Sequence, residues 1–210
     1  MISKEGELAF KNLVEKIHQR RNIKNKNVDN HNVDHKIITE NERIKNLSDI
    51  PSPYSNKYLD EFFDGKLMPI IQTNRGCPFS CTFCVEGVKY YNKINLNDQK
   101  KVNNELNFIG KKMNKLSKNG TRNDLFIADS NFGMYKDDIK TCEEIRSVKQ
   151  KYKWPDYINV ATGKNQKERV LNAAKLLDGA MRLSGSVQSL DEEVLKNIKT
   201  DYITIDFENG

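Results

Sequence analysis

The stretch Pro69-Ile-Ile-Gln-Thr-Asn-Arg-Gly-Cys-Pro-Phe-Ser-Cys-Thr-Phe-Cys84 runs from an apolar segment straight into a cysteine cluster. Its C-x3-C-x2-C spacing gathers Cys77, Cys81 and Cys84, three of the 4 cysteines in the chain, on one short loop. A [4Fe–4S] cubane normally takes four thiolates, and a structural zinc takes four nitrogen or sulfur ligands. Three thiolates with no fourth close in sequence leave one metal corner open to a ligand that is not protein.

A disulfide framework and a zinc site are the competing readings of this loop. So few cysteines in 210 residues, without a secretory signal, argue against disulfides. Zinc ribbons pair two C-x2-C knuckles, whereas the downstream sequence offers only Cys142. None of His18, His31 and His35 stands at ligand spacing from the loop. Spacing and the flanking apolar run favour iron–sulfur, with zinc kept as the alternative. Cys142, inside Asp138-Ile-Lys-Thr-Cys-Glu-Glu-Ile145, reads as a small buried residue on a helix face.

Outward from the loop the pattern alternates. Apolar runs at 70–73, 125–128, 157–161 and 180–187 predict strands, and the segments 98–118, 137–151, 166–177 and 191–199 predict helices. Asp98, Asp137 and Asp191 sit where N-caps belong, and Gly120 and Gly179 where helices end. This is an α/β pattern of βαβ units on a parallel sheet. Four units make only part of a (βα) TIM-like barrel and leave the last strand edge unpaired. Residues 201–210 stop where another strand is due, so the chain reads as incomplete at its C-terminus.

Toward the N-terminus, residues 5–18 place Leu8, Phe10, Leu13, Val14 and Ile17 at helical spacing, an amphipathic helix. Residues 20–49 are polar and rich in Asn, Asp and Lys, the composition of a linker.

With 37% hydrophobic and 30% charged residues, the composition is that of a water-soluble chain. No run approaches the ~18 apolar residues of a membrane span. A reducing, cytoplasmic compartment is the expectation, as an oxygen-sensitive cluster requires. The net charge of +6 accompanies 25 Asn and abundant Lys and Ile, a compositional bias. The lysines are spread along predicted helices, so they read as solvated faces rather than a nucleic-acid surface.

The segment 69–84 resembles the cluster loop of the radical S-adenosylmethionine (SAM) superfamily. Residues 1–10 (MISKEGELAF) resemble the last strand-to-helix segment of a cobalamin-binding Rossmann-like domain. Radical SAM proteins with such a domain continue through a polar linker and a Pro-Ser-Pro-Tyr segment, here Pro51 to Tyr54. The resemblance implies three parts: 1–19, the tail of a cobalamin-binding-like domain; 20–49, a linker; and 50–210, an incomplete radical SAM core. No D-x-H-x-x-G cobalamin motif occurs in the chain.

The same resemblance implies a [4Fe–4S] cluster on Cys77, Cys81 and Cys84, with the SAM amino and carboxylate groups on the open iron. Cobalamin is implied only through a domain outside this sequence. Phe83 would meet the SAM adenine through its backbone while its ring packs inward. Asp129 or Asn131 stands where the superfamily has a Gly-Gly-Glu-like segment holding the SAM amino group. Thr162 ends the third predicted strand, and Gln188 lies in a segment resembling G-x-Q-S. The implied activity is reductive cleavage of SAM to a 5′-deoxyadenosyl radical acting on an unknown substrate, with flavodoxin or ferredoxin as electron donor. A radical SAM tRNA-modifying enzyme of the methylthiotransferase kind and a non-catalytic zinc-binding module are the alternatives.

Overall fold

The computed structural model describes residues 2–3, 5–24, 38–39, 43–116, 121–183 and 187–200. They fall into two units, 1–45 and 46–210.

In the first unit, β1 (Ile2–Ser3) and β2 (Ile38–Thr39) pair in parallel, and α1 (Glu7–Lys24) lies between them in sequence. The helix is longer than the 5–18 expected and runs into the segment read as a linker, because Gln19, Arg20 and Arg21 are good helix formers. Glu5 anchors the end of this unit. One carboxylate oxygen lies 2.8 Å from Arg43 Nε and the other accepts the Ile44 N–H at 3.0 Å. Ala9 is buried, whereas Leu8, Phe10, Val14 and Ile17 are exposed.

The second unit is built on three parallel strands. These are β3 (Ile70–Ile71), β6 (Asp124–Phe132) and β7 (Tyr157–Thr162), in that spatial order. Between β3 and β6 come an antiparallel pair, β4 (Asn74–Arg75) with β5 (Asn95–Leu96), and α2 (Gln99–Met113). α3 (Lys136–Tyr152) connects β6 to β7, α4 (Lys167–Leu176) follows β7, and α5 (Glu192–Asn197) comes last.

Side chains alternate along β6 because successive residues of a strand face opposite sides. Leu125 and Ile127 are fully buried and join one core with Leu106 and Ile109 of α2, Cys142, Ile145 and Val148 of α3, and Ala173 of α4. Burying side chains of this size contributes about 1.5–3 kcal/mol each, which fixes the helices to this face. Phe126, Ala128 and Ser130 point to the other face, which borders an open cavity. Tyr54 closes the outer edge of β3. Its hydroxyl donates to the Ile70 carbonyl at 2.6 Å and accepts the Ile70 N–H at 3.1 Å.

The structure corrects several expectations. The first strand ends at Ile71 rather than 73, because Thr73 turns to meet Asp129 and the chain enters β4. The second continues past 128 to Phe132, so Asp129 and Asn131 lie within it. The fourth, expected over 180–187, is reduced to an isolated parallel bridge between Met181 and Ile158. Residues 184–186 lie outside the described residues, as do Gly120 and 201–210. The described sheet is therefore a three-stranded parallel sheet, not a closed barrel.

Asp98 and Asp191 cap their helices, accepting the N–H of Lys100 and Val194. Asp137 does not. Helix α3 starts at Lys136, and Asp138 reaches back to accept the Tyr135 N–H at 2.8 Å. A carboxylate at the third helical position favours this earlier start. Among the described residues no helix is long and apolar enough to cross a membrane.

Candidate functional site

The cysteine loop springs from the C-terminal end of β3. In parallel α/β folds this is the end where sites are built, because the βα loops converge there. Gly76 opens the loop at φ +120, where a Cβ would meet the Tyr91 carbonyl oxygen at 2.8 Å. Only glycine fits there. The Cys77 N–H then donates to the Tyr91 carbonyl at 2.9 Å, closing the loop back onto the segment that leads to β5. Further on, the Cys84 N–H donates to the Cys81 carbonyl at 3.2 Å, and the Gly87 N–H to the Cys84 carbonyl at 3.0 Å. Gly87 packs so closely on the Cys81 carbonyl that any side chain there would collide with it.

Asp129 fixes the base of the loop. It is 3% exposed, and its carboxylate receives Thr73 N–H at 2.8 Å, Asn74 N–H at 3.2 Å and Asn74 Nδ2 at 2.9 Å, together with the Thr73 hydroxyl. Burial pushes its carboxyl up to about 6, against the opposing pull of the Thr73 and Asn74 donors. Two residues on, along the same face of β6, Asn131 is buried, and its Nδ2 lies 3.3 Å from Cys77 Sγ. Cys81 Sγ lies 3.5 Å from Thr200 Oγ1. All three cysteines are free thiols of intermediate exposure, and Cys142 is a buried one whose pKa burial pushes up to about 12.

The sequence-predicted residues divide accordingly. Cys77, Asp129 and Asn131 come together at the ends of β3 and β6. Thr162 stands opposite Phe132 at the end of β7, beyond an irregularity in the strand register. The Phe83 ring, expected to pack inward, is instead exposed, the residue standing 56% open to solvent. Gln188 is exposed and accepts a hydrogen bond from Lys164. Among the described residues no three His, Cys, Asp or Glu side chains stand together as a ready ligand set for one metal ion.

Beside the loop, the face of the sheet opposite α2, α3 and α4 borders a cavity of about 770 Å³. Its floor is Phe126, Ala128, Ser130, Asn159 and Ala161, and Glu86 and Arg182 put opposite charges on its walls.

Sequence reasoning missed several of these residues. The antiparallel β4–β5 pair and the Thr73–Asn74 donors are too short or too polar to register as periodicity. Gly87, three residues after the last cysteine, was a visible signal that the loop turns tightly, as Gly76 is before the first. Tyr135 was also missed. Its hydroxyl is buried without a hydrogen-bond partner, and burial, then the negative charges of Cys77 and Asp138, push its pKa above the ordinary phenol value.

No family model matches the sequence. The chain is 28% identical over 174 residues to the cobalamin-dependent radical SAM methyltransferase TokK of Streptomyces tokunonensis, covering 79% of this chain and 24% of that protein. It is 29% identical over 166 residues to the 2-(S-pantetheinyl)-carbapenam-3-carboxylate methyltransferase of Streptantibioticus cattleyicolor, covering 75% of this chain and 23% of that one. A third relative, an uncharacterized methyltransferase of Pyrococcus horikoshii, is 31% identical over 109 residues, covering 50% of this chain and 24% of that protein. The chain thus spans about a quarter of the length of the curated relatives it matches.

Among solved structures, the cobalamin-dependent SAM radical enzyme OxsB with aqua-cobalamin bound superposes with a TM-score of 0.51. It is 19% identical, and the match covers 93% of this chain and 29% of that one, a likeness of fold. The same protein with aqua-cobalamin and SAM bound gives 0.52 at 18% identity. In sequence, then, the chain is related to cobalamin-dependent radical SAM methyltransferases, and in fold it is similar to an enzyme of that kind over the stretch it spans.

Proposed function

We propose that residues 50–210 form part of a radical SAM core, an open segment of a (βα) barrel, and that Cys77, Cys81 and Cys84 hold a [4Fe–4S] cluster. The observation that carries this reading is the contact of Asn131 with Cys77, which sets a loop of three free thiols at the C-terminal ends of two parallel strands, beside an open cavity. The donor set fits the group. Three soft thiolates suit iron–sulfur ligation, and a cubane spreads its ligands over separate irons, so the three sulfurs need not converge on one point.

When bound, the cluster would supply the electron that cleaves SAM to methionine and a 5′-deoxyadenosyl radical, with flavodoxin or ferredoxin as donor. The chain's own residues bind and orient. Asp129 holds the base of the cysteine loop through Thr73 and Asn74, Asn131 abuts Cys77, and the tight Gly87–Cys81 contact sets the spacing of the loop. Phe83, Thr162 and Gln188 are the candidates for direct SAM contact. The cavity floor, with Ala128, Ser130 and Ala161, leaves room for a substrate over the face of the sheet opposite α2, α3 and α4.

Methyl transfer is the reaction class proposed, because all three relatives are named as methyltransferases. Cobalamin enters only as a cofactor held by a domain outside this sequence, of which residues 1–19 would be the tail and 20–49 the linker to the core.

Anaerobic reconstitution of the chain with iron and sulfide tests the reading. About four iron and four sulfide per chain are expected, lost on changing Cys77, Cys81 or Cys84 to Ala and kept in Cys142→Ala. Stoichiometric zinc in a colourless protein would refute it in favour of a zinc module.

A further inference from the structure

We infer that Asn131 donates a hydrogen bond to the Cys77 thiolate and thereby raises the reduction potential of the cluster held there, an inference that rests on the iron–sulfur reading above. Asn131 Nδ2 stands 3.3 Å from Cys77 Sγ, within reach for a donor to sulfur. The residue is 7% exposed and belongs to β6, so packing holds its amide in place rather than leaving it to swing in solvent. The amide orientation follows from the chemistry. A carbonyl oxygen facing a thiolate would repel it, whereas the N–H end is attracted, so Nδ2 is the atom that belongs against sulfur.

A bond of this kind acts on the redox equilibrium rather than on ligation. Reduction adds one negative charge to a cluster and its thiolates, and a fixed donor aimed at one of those sulfurs stabilises the more negative state more. Hydrogen bonds to cluster sulfurs and limited solvent exposure are among the factors that set such potentials over a wide range.

Asp129 is two residues away on the same face of the strand and is engaged by Thr73 and Asn74. A buried carboxylate lowers the potential of a nearby cluster when it ionises. A neutral amide donating to Cys77 counters this effect at the sulfur itself. Asn131 is therefore a positioning residue, and its role differs from the contact with the SAM amino group that its place in the sequence suggests.

The test is a redox titration of the reconstituted full chain, followed by the spectrum of the reduced cluster, for wild type, Asn131→Leu and Asn131→Asp. Leucine keeps the volume and removes the donor. Aspartate keeps the shape and places an acceptor against the sulfur, so it serves if leucine disturbs folding. At the wild-type midpoint, the reduced-to-oxidised ratio in each variant should fall about tenfold, equivalent to about 59 mV for a one-electron couple.

Unchanged potentials in variants that hold full iron would overturn the inference and leave the iron–sulfur reading standing. Variants that fold normally by circular dichroism yet hold no cluster would overturn it too, giving Asn131 a part in assembly instead. A wild-type chain that takes up no iron would remove the reading beneath it, and the inference with it.

Discussion

Asp129 and Thr73, 56 residues apart in sequence, are joined twice at the C-terminal ends of neighbouring parallel strands. The Thr73 N–H donates to Oδ1 at 2.8 Å and its hydroxyl donates to Oδ2. Cys77 follows four residues after Thr73, so this pair sets where the cysteines start. A polar clamp here takes the place of the hydrophobic packing that holds the strands lower down.

Replacing Asp129 by Ala should cost about 2–4 kcal/mol, because it leaves the buried Thr73 and Asn74 N–H groups without partners. Thr73→Val, which removes only the hydroxyl donor, should cost about 1 kcal/mol. Urea unfolding of the two variants against wild type measures both.

Stability should fall as pH rises from about 4 to about 7. Burial pushes the carboxyl of Asp129 up to about 6 and that of Asp138 up to about 7, so the folded state holds these protons more tightly than the unfolded chain. Their contribution is therefore complete below the unfolded carboxylate range and lost as pH passes the folded values. Asp138→Asn, a neutral stand-in for the protonated acid, should flatten the profile by roughly 1–3 kcal/mol between pH 4 and 8. An equally steep profile in that variant would assign the pH dependence to other groups.

Gly87→Ala should disrupt the cysteine loop. The added methyl would collide with the backbone carbonyl of Cys81, which has no flexible end to give way. A loss of about 1–3 kcal/mol in thermal unfolding and a sharp drop in iron uptake are expected. Cys142→Ala, in the core and away from the loop, should cost about 1 kcal/mol and leave iron uptake unchanged.

Tyr54→Phe should leave the Ile70 N–H and carbonyl unpaired on the outer edge of β3. A loss of about 1–2 kcal/mol is expected, with self-association through the exposed edge visible in size-exclusion chromatography.

The order of elements was legible because core residues recur at helix and strand periods: Leu106 and Ile109 on α2, Leu125 and Ile127 on β6. The limits of β6 were not. Its last turnless stretch, Asp129-Ser-Asn131, is polar, and only the donors of Thr73 and Asn74 and the sulfur of Cys77 explain why a strand continues through it. The three cysteines marked the candidate site by spacing alone. Asn131 was named from its place in sequence as a partner for SAM, whereas its contact with Cys77 depends on two strands lying side by side. Of the expected fourth strand the described residues keep only the Met181 bridge, and Arg182 and Leu183 do not continue it, since a pattern specifies which face a strand would bury and not whether a ladder forms.

The alternation along β6 also divides the labour of evolution. Leu125 and Ile127 hold the helices, while Phe126, Ala128 and Ser130, each one register away, face the cavity and share none of that packing. On the proposed reading of this cavity as the substrate's place, changes at Ala128, Ser130 and Ala161 would reshape what it admits at little risk to folding, so new substrates could be explored on one side of a sheet while the other side stays constant. A library randomised at these three positions should retain a high fraction of folded members, and one randomised at Leu125, Ile127 and Ile158 should not.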